Sequence, residues 1–375
     1  MNIYEAYWTD SAAMGLKVTD GRLTLAGQEF FGAGVNSYNL FLQCLSDFSL
    51  EKAERSLQIL RENGMHFVRF SISPYYYDEV PLFTDDPQRY FDLLAGLADL
   101  AEQLEIGLIP SFFWHNNTVP NYFDEPFRAW GRTDSQTFTF LKSFTRGAVS
   151  ALAKSKAVWG WEFGNEFDLS CDLPNAAEQL ENNPLPEGSS RPGRTEEDFL
   201  TASDVRTASA AFAEIVREND PEGRMISSGF ASMRPSQYNQ THFGTWTQDT
   251  PQERLEITAF LHPEGVDVVS EHVYFTEQTT FGRLLTLSEY LEEVQAIATS
   301  LGKAYIIGEW GNDTDACDAF CADFIPAVLE NKIQLTMVWN FNLEPGVEHS
   351  FTADSERGQY LLGLVRDLDA ELQRQ

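Results

Sequence analysis

The sequence predicts an α/β fold in which eight parallel strands, each followed by a helix, close into a (β/α)8 TIM barrel. The first observation is a repeated alternation of short apolar segments with longer segments of helical period. The second is that the strand-like segments are apolar at nearly every position, which is typical of a parallel sheet covered on its outer face. The chain of 375 residues exceeds the ~250 typical of such a barrel by an amount that loops can contain. We therefore expect one domain, residues 1–375.

A short N-terminal β-hairpin is expected before the barrel. Asp20-Gly21, a pair favoured in tight turns, joins the segments 16–19 and 22–25. The barrel strands are expected at 30–36, 67–72, 107–114, 158–163, 225–229, 266–274, 305–309 and 335–341. Helical spacing predicts helices near 50–63, 88–104, 136–153, 196–219, 252–261, 285–301, 316–331 and 356–372.

The surplus residues fall mostly in loops that follow strands. The longest loops run from Phe167 to about Arg194 and from Phe230 to about Thr250. In a barrel these long βα loops open onto the C-terminal face, where barrel enzymes carry their active sites. Functional residues are therefore expected at the carboxyl ends of the strands.

The charge of the chain excludes several classes of partner. Acidic residues number 57 and basic residues 26, a formal net charge of −31. This charge repels phosphate backbones and anionic lipids, so we expect no nucleic-acid and no membrane partner. The sequence also lacks the run of ~18 apolar residues that spans a bilayer. The N-terminus lacks the features of a signal peptide, which predicts a cytoplasmic protein, or a secreted one if a leader has been removed.

The cysteines predict neither a disulfide scaffold nor a metal site. Four cysteines are too few for a scaffold. Cys317 and Cys321 lie one turn apart on a predicted helix, a spacing that can contribute to a metal site. No paired His or Cys cluster accompanies them, so we expect buried or free thiols.

Two predicted strands end in a glutamate directly after apolar residues. The fourth strand leads to Glu166, and the seventh ends at Glu309. Two carboxyl groups that face each other across a cleft are the minimal equipment for cleaving a glycosidic bond. One must carry a proton for the leaving oxygen while the other stays ionised. The alternatives are a solvated rim position for either glutamate, or a metal site completed by His272 and His115.

The residues at the strand ends resemble those of glycoside hydrolase family 5, cellulase-like members of a clan of retaining (β/α)8 glycosidases. The resemblance covers the whole strand series and rests on eight matches in order: Arg69, His115, Asn165, Glu166, His272, Tyr274, Glu309 and Trp339. Glu162 lies upstream of the Asn-Glu pair, as is usual in the family. The chain departs from the pattern at Phe167, where the family often has proline, and in the unusually long loop that follows. These departures leave the subfamily and the substrate open.

The resemblance implies a role for each matched residue. It makes Glu166 the general acid/base and Glu309 the nucleophile. Arg69 would favour the ionised form of Glu309, and the Tyr274 hydroxyl would hold its rotamer. Asn165 would hydrogen-bond the 2-hydroxyl of the sugar under attack, a contact that strengthens in the transition state.

The remaining matches and the aromatic residues are candidates for sugar contact. His115 and His272 would orient the sugar or the acid, and Trp339 would form an aromatic floor. Trp246 and Trp130 are predicted to be subsite residues carried on loops. Further aromatic residues are expected near the mouth: Tyr38, Tyr75, Tyr76, Tyr77, Trp114, Trp310 and Phe341. The last βα loop adds polar residues that either contact sugar or are simply solvated: Glu344, Glu348 and His349.

The sequence therefore predicts a retaining β-glycosidase that works by double displacement and needs no cofactor or metal. The resemblance implies β-linked glucan, mannan or derived oligosaccharides as substrates. A non-catalytic carbohydrate-binding barrel and a metal-dependent barrel hydrolase are the competing hypotheses. The sequence does not separate glucose from mannose or endo from exo action, and it makes no prediction of the oligomeric state.

Overall fold

The computed structural model describes residues 2–311, 317–345 and 349–375, apart from the side chain of Cys317. In chain order the strands are β1 (Leu16–Thr19), β2 (Arg22–Leu25), β3 (Gln28–Glu29), β4 (Gly32–Asn36), β5 (Phe67–Ser71), β6 (Gly107–Phe113), β7 (Gly160–Gly164), β8 (Met225–Ser227), β9 (Val268–Val273), β10 (Glu277–Thr280), β11 (Arg283–Thr286), β12 (Ala304–Trp310) and β13 (Leu335–Val338). Eight of them close into a parallel barrel, in the order β12-β13-β4-β5-β6-β7-β8-β9. The predicted (β/α)8 barrel is confirmed.

The helices pack around the barrel and within its loops. In chain order they are α1 (Ile3–Thr9), α2 (Leu42–Leu45), α3 (Glu51–Glu62), α4 (Pro81–Thr84), α5 (Pro87–Gln103), α6 (Thr118–Tyr122), α7 (Gln136–Leu152), α8 (Ala176–Glu181), α9 (Ala202–Asn219), α10 (Gln237–Phe243), α11 (Pro251–Leu261), α12 (Leu287–Ser300), α13 (Cys317–Glu330) and α14 (Glu356–Leu372). The eight helices predicted from period correspond to α3, α5, α7, α9, α11, α12, α13 and α14.

Capping residues explain where several helices begin. The Thr201 side chain accepts a hydrogen bond from the backbone N–H of Asp204, and the Asp204 side chain accepts one from Thr201. This reciprocal pair starts α9 at residue 202, six residues later than the helical period indicates, and a short 3₁₀ turn precedes it. Thr250 and Glu253 begin α11 in the same way.

Several elements were not predicted: α1, the short strand β3, the hairpin β10–β11, and the short helices α2, α4, α6, α8 and α10. Asn2 caps the start of α1, and its side chain accepts a hydrogen bond from the Glu5 backbone. Strands β10 and β11 form a hairpin joined by Phe281 and Gly282, both of which have positive φ values, 58° and 72°. This backbone is typical of a type I′ turn, but the pair lacks the Asn-Gly or Asp-Gly signal on which hairpin prediction depends.

Aromatic side chains close the N-terminal end of the barrel. Trp159 is fully buried there, and its ring packs against Tyr4 and Tyr7 of α1. Phe30 and Phe67 complete the cluster, with ring centroids 5.7 and 5.5 Å from that of Trp159. Each such ring removes a large apolar area from water, so this end contributes stability rather than an opening for ligands.

Polar contacts tie the two chain ends to this cluster. The Tyr4 hydroxyl donates to Asp369 Oδ1 at 2.6 Å, and the Ala33 N–H donates to the same oxygen at 2.9 Å. Burial raises the pKa of Asp369 to about 6. The predicted hairpin β1–β2 is confirmed, and the Gln334 amide exchanges two hydrogen bonds with the Leu23 backbone to dock it.

At the opposite end the two long loops contact each other. The loop 167–194 contains a 3₁₀ turn and α8, and the loop 230–250 contains α10. Arg234 donates to the carbonyl oxygens of Asp168 and Leu169 at 2.8 and 2.9 Å. The loops therefore form a continuous structure over one side of the mouth.

Three of the four cysteine side chains are described. Cys44 and Cys171 are buried free thiols and Cys321 is buried, whereas the Cys317 side chain lies outside the described residues. Among the residues that the structure describes, no helix combines the length and apolarity needed to cross a membrane.

Candidate active site

Arg69 on β5 is the centre of a polar cluster at the C-terminal ends of the strands. Its fully buried guanidinium donates from Nε to Glu162 at 2.7 Å and from Nη1 to Glu309 at 2.6 Å. Nη1 also donates to Asn36 Oδ1 at 3.0 Å, and Nη2 donates to Asn165 Oδ1 at 2.8 Å. Burial lowers the pKa of Arg69, but the two carboxylates raise it by more, so the guanidinium stays charged. These acceptors offset the cost of burying the cation.

Glu309 on β12 is held at both carboxylate oxygens. Its side chain is 4% exposed; Oε1 accepts from Arg69, and Oε2 accepts from the Tyr274 hydroxyl at 2.7 Å. Nδ1 of His272 lies 3.4 Å from the same Oε2. Burial and the charge of Glu309 raise the pKa of Tyr274, so the phenol keeps the proton that it donates. The carboxylate is therefore fixed in one orientation beside a cation.

Glu166, directly after Asn165 at the end of β7, has a different environment. Its backbone is left-handed, with φ 55° and ψ 32°, which is uncommon for a residue other than glycine. Its N–H donates to the Gly229 carbonyl at 2.9 Å. The side chain is 29% exposed, and burial raises its pKa although the charges of Arg69 and His115 lower it. This carboxyl group binds a proton more readily than an ordinary glutamate.

His272 on β9 lies between the two acids. Its Nδ1 is 2.8 Å from Glu166 Oε1, and its side chain is 1% exposed. Burial lowers the pKa of His272 to about 4, so the imidazole is neutral near pH 7. Because carboxyl oxygens flank Nδ1, we assign the proton to that nitrogen. Nε2 is buried and has no hydrogen-bond partner among the described residues.

The two acids and the histidine are close together. One ligand-type atom from each of Glu166, His272 and Glu309 lies within 4.8 Å of the other two. Three such atoms are compact enough to bind a cation. Both oxygens of Glu309, however, already accept hydrogen bonds from Arg69 and Tyr274, and the buried guanidinium repels a cation at this position.

The sequence match decides the family. Residues 25–344 match the family model described as Cellulase (glycosyl hydrolase family 5). The chain belongs to glycosyl hydrolase family 5. It is an O-glycosyl hydrolase with a cellulase-like barrel, as the residues at the strand ends predict. No curated protein matches it significantly.

Solved structures share the fold at low sequence identity. An endo-1,4-beta-mannanase from Rhizomucor miehei superposes with a TM-score of 0.68 at 14% identity, over 96% of this chain and 100% of that one. An exo-beta-1,4-mannosidase from Opitutaceae bacterium strain TAV5 gives 0.64 at 18%, over 96% and 63%. A beta-1,4-mannanase from the sea hare Aplysia kurodai gives 0.58 at 17%, over 94% and 96%. At these identities the similarity shows the fold.

Aromatic rings line the family 5 site beside Arg69. Trp339 follows β13 and is partly exposed, and its ring is stacked with those of Trp114 and Tyr38 at centroid distances of 5.9 and 5.8 Å. The Arg69 guanidinium lies over the Trp114 ring at 4.8 Å. The site therefore combines an aromatic surface with a charged cluster, and the sugar-stacking role of Trp339 stays a prediction.

His115, two residues after β6, packs beside Tyr75. Its ring meets that of Tyr75 edge to face, with centroids 4.4 Å apart. Burial lowers the pKa of His115 to about 4, while the charge of Glu166 raises it in part. The imidazole is therefore neutral and has a polar edge for a ligand.

The prediction for Trp130 is wrong. Its side chain is fully buried, its Nε1 donates to the Asn116 carbonyl at 2.6 Å, and its ring packs against Phe113 and Phe167. Trp130 lies on the 3₁₀ helix Phe127–Gly131, which directs its ring into the core. Trp246 is 56% exposed and makes no hydrogen bond or ring contact with the described site residues, so its role stays a prediction.

The other aromatic candidates divide by burial. Trp310 and Phe341 are fully buried and belong to the core, whereas Tyr76 is 58% exposed. In the last βα loop, the Glu344 side chain is 72% exposed and lies 4.0 Å from Lys52, as a solvated residue would. Glu348 lies outside the described residues.

The sequence analysis missed two supporting residues. Asn36 ends β4, and its Nδ2 donates to the Gly308 carbonyl at 3.0 Å while its Oδ1 accepts from Arg69. A polar residue at the end of a buried strand is the signal that could have found it. Gly229 has φ 67°, and a Cβ there would lie 1.9 Å from the Gly164 carbonyl oxygen. Nothing in the local sequence indicates that contact.

Proposed function

We propose that this family 5 enzyme is a retaining β-glycosidase with Glu309 as nucleophile and Glu166 as acid/base. The observation that carries the proposal is the spacing: one atom from each acid and one nitrogen of His272 all lie within 4.8 Å of each other. Retaining glycosidases place their carboxyl groups about 5–5.5 Å apart, whereas inverting enzymes need about 6.5–9.5 Å to admit water. The short spacing supports direct attack on the sugar.

In the first step a Glu309 oxygen bonds to the anomeric carbon as the glycosidic bond breaks. Arg69 and Tyr274 support this role because a cation and a hydroxyl donor favour a carboxylate with a fixed rotamer. The leaving oxygen takes the proton of Glu166. The raised pKa of Glu166 supports that role, because the acid must carry its proton near the working pH.

In the second step Glu166, now ionised, removes a proton from water. The water oxygen bonds to the anomeric carbon, and Glu309 leaves as a carboxylate. Neutral His272 donates from Nδ1 to Glu166 Oε1 and so stabilises the ionised form that acts as base. The partial exposure of Glu166 gives that water a route to the site.

The substrate we propose is a β-linked mannan or glucan, or an oligosaccharide derived from one. The solved structures with the same fold include an endo-1,4-beta-mannanase and an exo-beta-1,4-mannosidase, which puts β-1,4-mannosides first. Asn165 accepts from Arg69 through Oδ1, so its Nδ2 is the group left for the sugar 2-hydroxyl. Trp339 offers the aromatic face for the ring.

Product stereochemistry tests the mechanism. Aryl β-mannosides and β-glucosides are hydrolysed while NMR follows the anomeric proton of the first-formed sugar. We expect the β-anomer to appear first, because two displacements at one carbon restore its configuration. Initial release of the α-anomer would overturn the proposal.

Covalent trapping tests the assignment of the nucleophile. A 2-deoxy-2-fluoro glycoside with a good leaving group slows the second step, so the sugar remains bound to the enzyme. Mass spectrometry of the digested protein should find it on the peptide that contains Glu309. A label on the Glu166 peptide would reverse the two roles.

The compact Glu166–His272–Glu309 group also favours testing a metal-dependent hydrolase as the second candidate. That mechanism needs an ion for activity, whereas the glycosidase mechanism does not. Prolonged dialysis against a chelator should leave hydrolysis of the aryl glycoside unchanged. Loss of activity that Zn²⁺ or Mn²⁺ restores would favour the metal mechanism.

A further inference from the structure

A cleft opens beside the catalytic residues, on the side of β5 and β6. It has a volume of about 420 Å³ and is lined by Tyr75–Tyr77, His115 and residues 183–187 of the long loop. The cleft adjoins the site through Tyr75, whose ring lies 4.4 Å from that of His115 and 5.4 Å from that of Tyr38, which stacks with Trp339. The volume is within the ~300–1,000 Å³ typical of small-molecule sites, enough for one or two sugar rings.

The lining of this cleft suits an uncharged sugar. Tyr76 is 58% exposed and meets only the edge of Tyr75, at 80° between ring planes, so an aromatic face is available. Asn117 and Asn121 add amide groups, and the Asn121 Nδ2 donates to no other described residue. The lining includes one carboxylate, Glu187, and neither lysine nor arginine, which disfavours an anionic ligand.

Residues Asn183–Glu187 form a wall of the cleft on the side of Asn121, whereas Tyr75 lines the cleft toward Tyr38 and the candidate site. The Arg194 guanidinium fastens this wall: Nε donates to the Asn183 carbonyl at 3.0 Å and Nη2 to the Pro184 carbonyl at 3.2 Å. Nη2 also donates to Asn121 Oδ1 at 2.9 Å, which joins the wall to α6.

Arg194, which anchors the wall, is itself held by an acidic and an aromatic side chain. Arg194 is 7% exposed in its side chain, pairs with Asp198 at 3.2 Å and lies over the Phe127 ring at 4.5 Å. Arg191 also pairs with Asp198, at 3.0 Å between Nη1 and Oδ1. The wall is therefore held in place by charge-assisted hydrogen bonds from a nearly buried guanidinium.

We propose that this cleft is a sugar subsite whose far end is closed by the wall, so that the enzyme acts on short β-linked oligosaccharides or chain ends. The inference rests on the proposed function, because the cleft joins the glycosidase centre. A polymer bound at its middle must leave a cleft at both ends, and residues 183–187 obstruct one of them. The long loop after Glu166 thereby sets substrate length, with Arg194 as a positioning residue.

Binding tests the subsite independently of hydrolysis. Mannotriose and cellotriose are titrated by calorimetry into the Glu309→Gln protein, with and without Tyr76→Ala. Loss of one stacking face should weaken binding of the preferred trisaccharide by about tenfold. The control Phe243→Ala, which removes a 65% exposed ring on α10, should leave it unchanged. Equal binding with and without Tyr76→Ala would overturn the subsite.

Cleavage tests the wall. In one variant two glycines replace residues 184–187, and in another Arg194→Ala releases the anchor. Each is assayed on an aryl glycoside, a tetrasaccharide and soluble mannan or glucan. We expect both variants to lower kcat/KM on the tetrasaccharide relative to the aryl glycoside and to raise the rate on polymer, each by about tenfold.

The outcomes separate the two proposals. If the wild type cuts polymer internally, the viscosity falls rapidly. If shortening the wall does not alter that fall, the inference is contradicted, whereas the proposed glycosidase function is not. A wild type that hydrolyses no β-glycoside contradicts the proposed function, and the titration then decides the subsite alone. Thermal unfolding of each variant, with Tyr76→Ala at an exposed position, checks that folding is retained.

Discussion

The two ends of the barrel bury carboxyl groups in different ways. At the N-terminal end, Asp369 accepts from the Tyr4 hydroxyl and the Ala33 N–H, which are both neutral donors. At the C-terminal end, Glu309 accepts from the Tyr274 hydroxyl and from the charged guanidinium of Arg69. Neutral donors compensate a buried negative charge poorly, and the pKa of Asp369 rises to about 6. At the C-terminal end one of the two donors is a buried cation, whose charge is opposite to that of the Glu309 carboxylate.

The N-terminal end contributes mainly to stability, whereas the C-terminal end carries the charged groups of the candidate site. At one end, aromatic rings surround the fully buried Trp159. At the other end charged groups converge on a mouth that keeps Glu166 partly exposed. Substitutions at the N-terminal end should therefore change unfolding without changing the rate, and substitutions at the mouth should do the opposite.

Glu309→Gln should have the largest effect. Removing the proposed nucleophile is expected to lower kcat on an aryl glycoside by ~10⁴-fold or more. Arg69 keeps Glu162 as a charged partner, so the melting temperature should change by only a few degrees. Glu105→Gln, at a half-exposed position before β6, is the matched control and should keep the wild-type rate. Near-normal turnover in Glu309→Gln would contradict the assigned roles.

Trp159→Ala tests the opposite end. The lost packing in a fully buried aromatic cluster should reduce the free energy of unfolding by about 3–5 kcal/mol. Urea denaturation measures that change, and kcat below the melting temperature should stay within about twofold of wild type, since no reacting group is touched. Trp159→Phe fills part of the cavity and should lose less stability. A large fall in kcat without loss of stability would show that the two ends are coupled.

Gly229→Ala should affect both quantities. The added Cβ would lie 1.9 Å from the Gly164 carbonyl oxygen and 2.6 Å from Glu162 Cδ, so the strand end that positions Glu166 must move. We expect kcat to fall at least about tenfold and stability to fall by about 2–4 kcal/mol. Gly223→Ala is the control: its φ of 66° matches, but nothing lies within 4 Å. It should lose about 1–2 kcal/mol from the backbone alone and keep its rate.

The pH dependence of stability in Asp369→Asn tests whether the pKa of Asp369 is raised at a site with only neutral donors. The folded pKa of Asp369, about 6, lies above its ordinary value of 3.8, so the folded protein binds the proton more tightly than the unfolded chain. The protonated Asp369 therefore stabilises the fold at low pH, and this contribution is lost as the pH rises. Between pH 4 and 6 the free energy of unfolding of the wild type should fall by up to about 3 kcal/mol relative to that of Asp369→Asn. The asparagine Oδ1 can still accept both hydrogen bonds. A free-energy difference between the two proteins that is constant across this range would contradict the raised pKa.

Much of the fold and the pair of candidate acids could be predicted because the signals are local. The barrel strands are continuous apolar runs, and Glu166 and Glu309 lie at the carboxyl ends of two of them. The hairpin β10–β11 escaped prediction because its turn residues, Phe281 and Gly282, carry a weak signal. Trp130 was misassigned because a loop position does not reveal whether a ring turns toward solvent or into the core.

The sequence by itself determined the order of the strands and helices, the family and the pair of acids at the mouth. Only the tertiary structure decided that Arg69 donates hydrogen bonds to Glu162, Glu309, Asn36 and Asn165 together. It also decided that Gly229 has no room for a side chain and that residues 183–187 close one side of a cleft. The physical reason is distance along the chain. Hydrophobic periodicity and turn residues are patterns among neighbouring residues. Burial, charge compensation and cleft shape depend on contacts between distant residues such as Arg69 and Glu309, 240 positions apart.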